Sequence, residues 1–160
     1  MPADELDVVA DGDPAETPAN ELDEAIGDDE YLERFVPSPY ARNGVLRWQA
    51  LKLTTRDKGG MSVGRLLVGV PALRRAGDQV IKKRVAAFAE TVAGVMRGVS
   101  HEVLNTPGDF VGHAEIRPGG LDPGWPVPYE PEDPTEEALA MEAYYSALLK
   151  FFRYRSLEEA

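Results

Sequence analysis

The first thirty residues set the limit on what the rest of the chain can fold into. Between Met1 and Glu30 there are twelve carboxylates, from Asp4 and Glu5 to Asp29 and Glu30, with no Lys, no Arg and no aromatic residue. Such a stretch buries too little apolar surface to offset the entropy lost on ordering it. It predicts a disordered acidic tail over 1–28 and a single domain over 29–160, about 130 residues, the usual size for one core. Most of the formal net charge of −11 belongs to the tail, so the body is close to neutral. An acidic chain argues against nucleic acid as a partner, because phosphate binding needs Lys and Arg to displace counterions. It favours instead a protein partner with a basic surface.

The chain has no cysteine and two histidines. Disulfides, thiolate metal sites and cysteine nucleophiles are excluded, and a structural zinc site has too few ligands to form. No cofactor or metal is expected. The start lacks the basic and apolar regions of a secretory signal, and no run nears the twenty apolar residues of a membrane span. The expected location is cytoplasmic, with no membrane partner.

Patterning predicts an α+β fold in which a small antiparallel sheet packs on a long central helix and a C-terminal helix. Tyr31, Leu32, Phe35 and Val36 have helix-like spacing before Pro37 and Pro39. Asn43-Gly44 is a turn signal ahead of a strand over Val45 to Leu53. Met61-Ser62-Val63 and Leu66-Leu67-Val68 supply further extended pieces. Ile81, Val85, Phe88, Val92 and Val95, four and three apart, place a helix over Asp78 to Arg97, with Asp78 at its start and Gly98 at its end. Asp109 to Ile116 reads as a strand, and the Pro/Gly-rich stretch from Pro118 to Pro134, with Trp125, as an ordered strap. A final helix starts at Thr135 and carries Ala138, Met141, Tyr145, Leu148 and Phe152 along one stripe.

Two constellations point to function. On the Asp109–Ile116 strand, alternation sets Asp109, His113 and Glu115 on one face. Two carboxylates and an imidazole there suit a metal-dependent hydrolase or nuclease, with His101 as a further ligand. The other constellation is aromatic. Tyr144, Tyr145, Phe151, Phe152 and Tyr154 crowd into eleven positions around Leu148, more ring surface than one stripe buries. Such a surplus is typical of an interface, so Tyr144, Leu148, Phe151, Phe152 and Tyr154 are the expected partner-binding residues. Arg42, Arg47, Lys52, Arg56, Lys58 and Arg65 around Trp48 read as a polar sheet face, because no RNA-binding motif accompanies them. No Walker-type phosphate loop and no Gly-x-Ser-x-Gly elbow occurs.

Tyr31, Leu32 and Arg34, then Tyr40 and Gly44, then Met61-Ser62-Val63-Gly64-Arg65 and His113-Ala114-Glu115-Ile116 form a pattern that resembles a set of small uncharacterised bacterial proteins. Its signature is (Leu/Met)-Ser-Val-x-Arg followed by His-Ala-x-Ile, and it spans Asp29 to Ile116. The resemblance implies an association with bacterial defence loci and directs attention to Arg65 and His113. The leading expectation is a non-enzymatic interaction protein, an accessory, immunity or inhibitor subunit whose partner is encoded nearby. The alternative is the hydrolase using Asp109, His113 and Glu115.

Overall fold

The computed structural model describes residues 25–53, 60–81, 84–126 and 136–158. Residues 1–24, and with them most of the expected tail, lie outside the described residues, as do Lys82, Lys83 and Thr135. In chain order the elements are β1 (Tyr31–Pro37), β2 (Ala41–Arg42), β3 (Val45–Leu46), β4 (Met61–Arg65), α1 (Val70–Ile81), β5 (Val85–Val92), α2 (Ala93–Gly98), β6 (His101–Asn105), β7 (His113–Pro118), α3 (Glu136–Leu149) and β8 (Arg153–Arg155). Six strands form one antiparallel sheet in the order β6-β7-β4-β1-β5-β8, and β2-β3 form a separate hairpin. The α+β class is as expected, with a larger sheet. Among the described residues no helix is long and apolar enough to cross a membrane.

Register sorts side chains onto two faces because neighbours along a strand alternate. Tyr31 pairs with Val92, Glu33 with Glu90 and Phe35 with Phe88, while Leu32 lies opposite Arg65 and Val103 opposite Ile116. One face gathers Leu32, Val36, Val63, Ala87, Ala89 and Ile116 against Met141, Tyr145 and Leu148 of α3. The other sets Phe35, Phe88 and Val85 against Val70 and Leu73 of α1. Buried Arg34 donates to the carbonyls of Ala50, Lys52 and Ser62, which fastens the turn after β3 to β4. The packed chain already includes Ile26, which is buried, while Gly94 N–H donates to Asp28 O at 2.7 Å and seats this segment on α2.

The single helix expected over Asp78 to Arg97 is not present. Its five marker residues fall on three elements: Ile81 ends α1, Val85 to Val92 is β5, and Val95 sits on the short α2. β5 has neighbours on both sides and covered faces, so Val85, Ala87, Phe88 and Ala89 are all buried. A strand buried on both faces loses its period-two signal, and its apolar run then matches a helical spacing by accident. The same cause makes Tyr31 to Val36 a strand instead of a helical turn, with Leu32, Phe35 and Val36 all buried. The strand expected over Val45 to Leu53 stops at Leu46, where a 3-10 turn at Trp48–Ala50 begins. The Asn43-Gly44 turn is as expected, with φ of 54° and 76°, the left-handed pair that a two-residue hairpin favours.

α1 lies close to the sheet where glycines leave room for it, at Gly77 on the helix and at Gly64 beneath Leu73. Val70, Leu73 and Gly77 face inward at helical spacing. A Cβ at Gly77 would stand 2.7 Å from Val85 Cγ2 and 2.9 Å from Phe35 Cγ. Neither atom is the loose end of a long side chain, so the helix would have to lift. Gly77→Val should destabilise the protein by about 1–3 kcal/mol, the usual penalty for overpacking. Urea denaturation should show this as a lower midpoint with an unchanged slope. An unchanged midpoint would mean that α1 is not tightly seated.

Candidate functional site

The strand face expected for Asp109, His113 and Glu115 does not form along its whole length. β7 begins only at His113, and Phe110 to Gly112 turn into it, with His113 N–H donating to Phe110 O and Gly112 at φ 89°. His113 is buried. Its Nδ1 lies 2.6 Å from Thr106 O, an acceptor only, so Nδ1 carries the proton, and Nε2 then accepts from Ser62 Oγ at 3.1 Å. Asp109 is exposed and stands 3.7 Å from Nε2. Glu115 turns away to Arg117, whose Nη2 and Nε donate to Oε1 at 2.6 and 2.9 Å. The register puts His101 on the opposite face from His113. There it is buried, with Nδ1 against Val99 O and Nε2 2.6 Å from the Tyr144 hydroxyl. Burial lowers the His101 pKa, and both rings are held as parts of the core. Among the described residues no three His, Asp or Glu side chains gather as a metal would require.

The aromatic cluster is mostly sheltered. Tyr144, Leu148 and Phe152 are core residues, and Tyr154 is half-buried. Trp125 of the strap lies 5.9 Å from the Tyr144 ring, and Trp48 stacks on Tyr145 at 6.2 Å. α3 ends at Leu149, so Phe152 lies beyond the helix and leads the chain into β8. The ring surplus inferred from the sequence is thus absorbed by two tryptophans from distant segments. Phe151 is the one expected partner-binding residue that is exposed.

Phe151 stands on the rim of a cleft of about 330 Å³ where β8 meets the end of β5. Tyr31, Val92 and Val95 form the apolar walls, and Lys150 and Arg153 line it as well. Glu90 also lines the cleft although it is itself buried, and it lies between Glu33 on β1 and Arg153 on β8 in register. Arg153 Nε donates to Glu90 Oε1 at 2.5 Å, and Arg155 Nη1 donates to Oε2 at 2.9 Å. Among the described residues no donor reaches either oxygen of Glu33, which is fully buried. Its hydrogen bond to Glu90 therefore requires Glu33 to carry the proton. Burial, then that hydrogen bond and the Glu90 charge, push the Glu33 pKa up to about 10. Burial pushes Glu90 up too, but the bonds from Glu33 and Arg153 and the two arginine charges outweigh it and hold Glu90 below its ordinary value. One proton is thus shared by a carboxylic acid and a carboxylate (two like charges at this distance would repel).

Glu33, Glu90, Arg153 and Arg155 are not among the candidate residues that the sequence alone points to. Their signal was present: a single carboxylate inside each of two apolar runs, Tyr31–Val36 and Val85–Val92, which strands buried on both faces leave no exposed place for.

The pair makes stability depend on pH. Glu33 keeps its proton when folded and loses it near pH 4.5 when unfolded, so its contribution is full below that pH and falls as pH rises toward 10. Glu90 acts oppositely, and its contribution is lost only as pH falls below its unfolded value. Between pH 7 and 9 the wild type should lose up to about tenfold in its folding equilibrium per pH unit. Glu33→Gln, whose amide also donates to Glu90, should be nearly flat there and more stable at pH 8. Thermal melts across this range decide it: parallel curves for both proteins would show that Glu33 is not a buried acid.

Comparison of the chain with known protein families, with curated proteins and with solved structures finds no match, so function has to be read from this geometry.

Proposed function

We propose that this chain is a non-enzymatic interaction protein and that the cleft beside Phe151 is its binding surface. The observation that carries the reading is the gathering of exposed apolar groups there. Tyr31 is 46% exposed, Val95 40% and Phe151 38%, and all three line the same hollow. Scattered single hydrophobic residues on a surface have no special meaning, whereas rings and aliphatic groups clustered around a concavity mark a contact site. An accessory or inhibitor subunit acts through such a surface. Lys150 and Arg153 on the cleft favour an acidic element of the partner, a different requirement from the basic surface that would suit residues 1–24.

The hydrolase alternative draws no comparable support. Glu115 is engaged by Arg117, and His113 is buried and engaged by Thr106 and Ser62. Of the residues behind the bacterial resemblance, Arg34, Ser62 and His113 bond one another or nearby carbonyls, and Arg65 Nε and Nη2 grip the Glu30 carboxylate at 2.8 and 3.0 Å. These contacts hold the sheet together.

Light scattering after size exclusion, with candidate partners from adjacent genes, tests the interaction reading. Phe151→Asp should weaken a complex at least tenfold, about 1.4 kcal/mol, as expected for an aromatic anchor. Leu139→Asp, at an exposed position on α3, should leave it intact. A folded Phe151→Asp protein that binds its partner like the wild type would refute the assignment.

A further inference from the structure

The cleft is sized and walled for aliphatic side chains. At roughly 30 Å³ per water molecule, its volume corresponds to about eleven waters, the lower end of ligand sites and far too little for a docked helix. Two aliphatic side chains of an extended segment fit such a hollow, because alternate residues share a face. Within residues 1–24 the run Glu5-Leu6-Asp7-Val8-Val9 carries that pattern, with Leu6 and Val8 two apart and an acid before each. Leu22, the other leucine there, stands alone between Glu21 and Asp23.

The place where that segment joins the fold is close by. Arg97 Nη2 donates to Ile26 O at 2.7 Å and Gly94 N–H donates to Asp28 O, so the chain runs along α2 before it enters β1. The same helix, six residues and about 9 Å long, presents Val95 to the cleft. Residues 10–24 connect Val9 to this point, and fifteen residues reach up to about 50 Å when extended. A tether of this length gives an effective concentration of order 1 mM. A contact of about seven apolar carbons has a dissociation constant of the same order, so it is formed about half the time.

Charge works in the same direction. Residues 1–24 hold nine of the 28 carboxylates and no Lys or Arg, whereas the sixteen after Glu30 are matched by all seventeen basic residues. Lys150, exposed on the cleft lining, is the cation that Glu5 and Asp7 would meet there.

We propose that the cleft is occupied by this chain's own N-terminal segment, with Leu6 and Val8 among Tyr31, Val95 and Phe151 and the acids beside them facing Lys150. The segment then competes with the partner, which must displace it to bind. The inference rests on the cleft being the interaction surface and adds how that surface is regulated.

A chain without cysteine offers a unique label site, so the test places a nitroxide on Asp11→Cys in the full chain. In NMR spectra the label should broaden the amides of Val92, Val95 and Phe151 to less than half their intensity. It should spare Val85, about 23 Å further down β5. Leu6→Ser combined with Val8→Ser should restore the cleft amides, and an otherwise unchanged spectrum shows that the fold is intact. Lys150→Gln should restore them in part. Broadening that is absent, uniform over the sheet, or unchanged by the two serines would overturn the proposal. Broadening that passes from labelled chains to unlabelled ones in a mixture would assign the cleft to a second copy and overturn it as well. The two serines should also strengthen a partner complex about twofold, the share that self-occupancy withholds; an unchanged complex would overturn the competition. The wider reading stands or falls separately, on the Phe151→Asp complex.

Discussion

Strands β1 and β5 pair without interruption from Tyr31↔Val92 to Val36↔Ala87, and this ladder carries the rest of the molecule. β1 also pairs with β4, and β5 with β8, so the two strands lie side by side in the interior of the sheet. Both cores are built on them: Leu32, Val36, Ala87 and Ala89 on one face, Phe35, Phe88 and Val85 on the other. The ladder also fixes where polar groups must lie. Glu33 opposite Glu90 puts two carboxyls side by side, and an unpaired buried charge would be intolerable there. Sharing a proton and adding two arginines from β8 is what makes the arrangement stable. The cleft starts where the ladder stops, because α1 covers only the Phe35–Phe88 end of that face.

A buried charged network seldom adds stability relative to an apolar core of the same shape, because removing the ions from water offsets their attraction. What it does supply here is position. Arg153 and Arg155 bring the last strand to one register against β5, and a slip by one residue would move both guanidiniums to the opposite face. The hydrogen bond from Thr91 Oγ1 to Phe151 O, at 2.8 Å, secures the same alignment one step further along. Phe151 is thus held on the rim by residues of the sheet interior.

Elements with one wet face were legible in the sequence. The Asn43-Gly44 turn and the stripe Met141, Tyr145 and Leu148 of the last helix stand where the residues indicated. Elements without a wet face misled. β5 is Ala or Val at five of its eight positions, so accidental helical spacing outweighed a strand preference that only its two neighbours could reveal. The site followed the same division. Phe151 was visible as one ring too many, but Tyr31 and Val95 join it only through tertiary structure. Asp109, His113 and Glu115 seemed to share a face because the turn at Gly112 left no mark strong enough to break the alternation.

The placement of β8 has a bearing on synthesis. Its partner strand precedes it by some sixty residues, and pairings so far apart in sequence close late during folding. Until the ribosome has released Arg153 and Arg155, Glu90 has neither guanidinium beside it, and the Phe151 side of the hollow does not exist. A chain cut before Arg153 would therefore leave Glu90 without either guanidinium and β5 with an open edge.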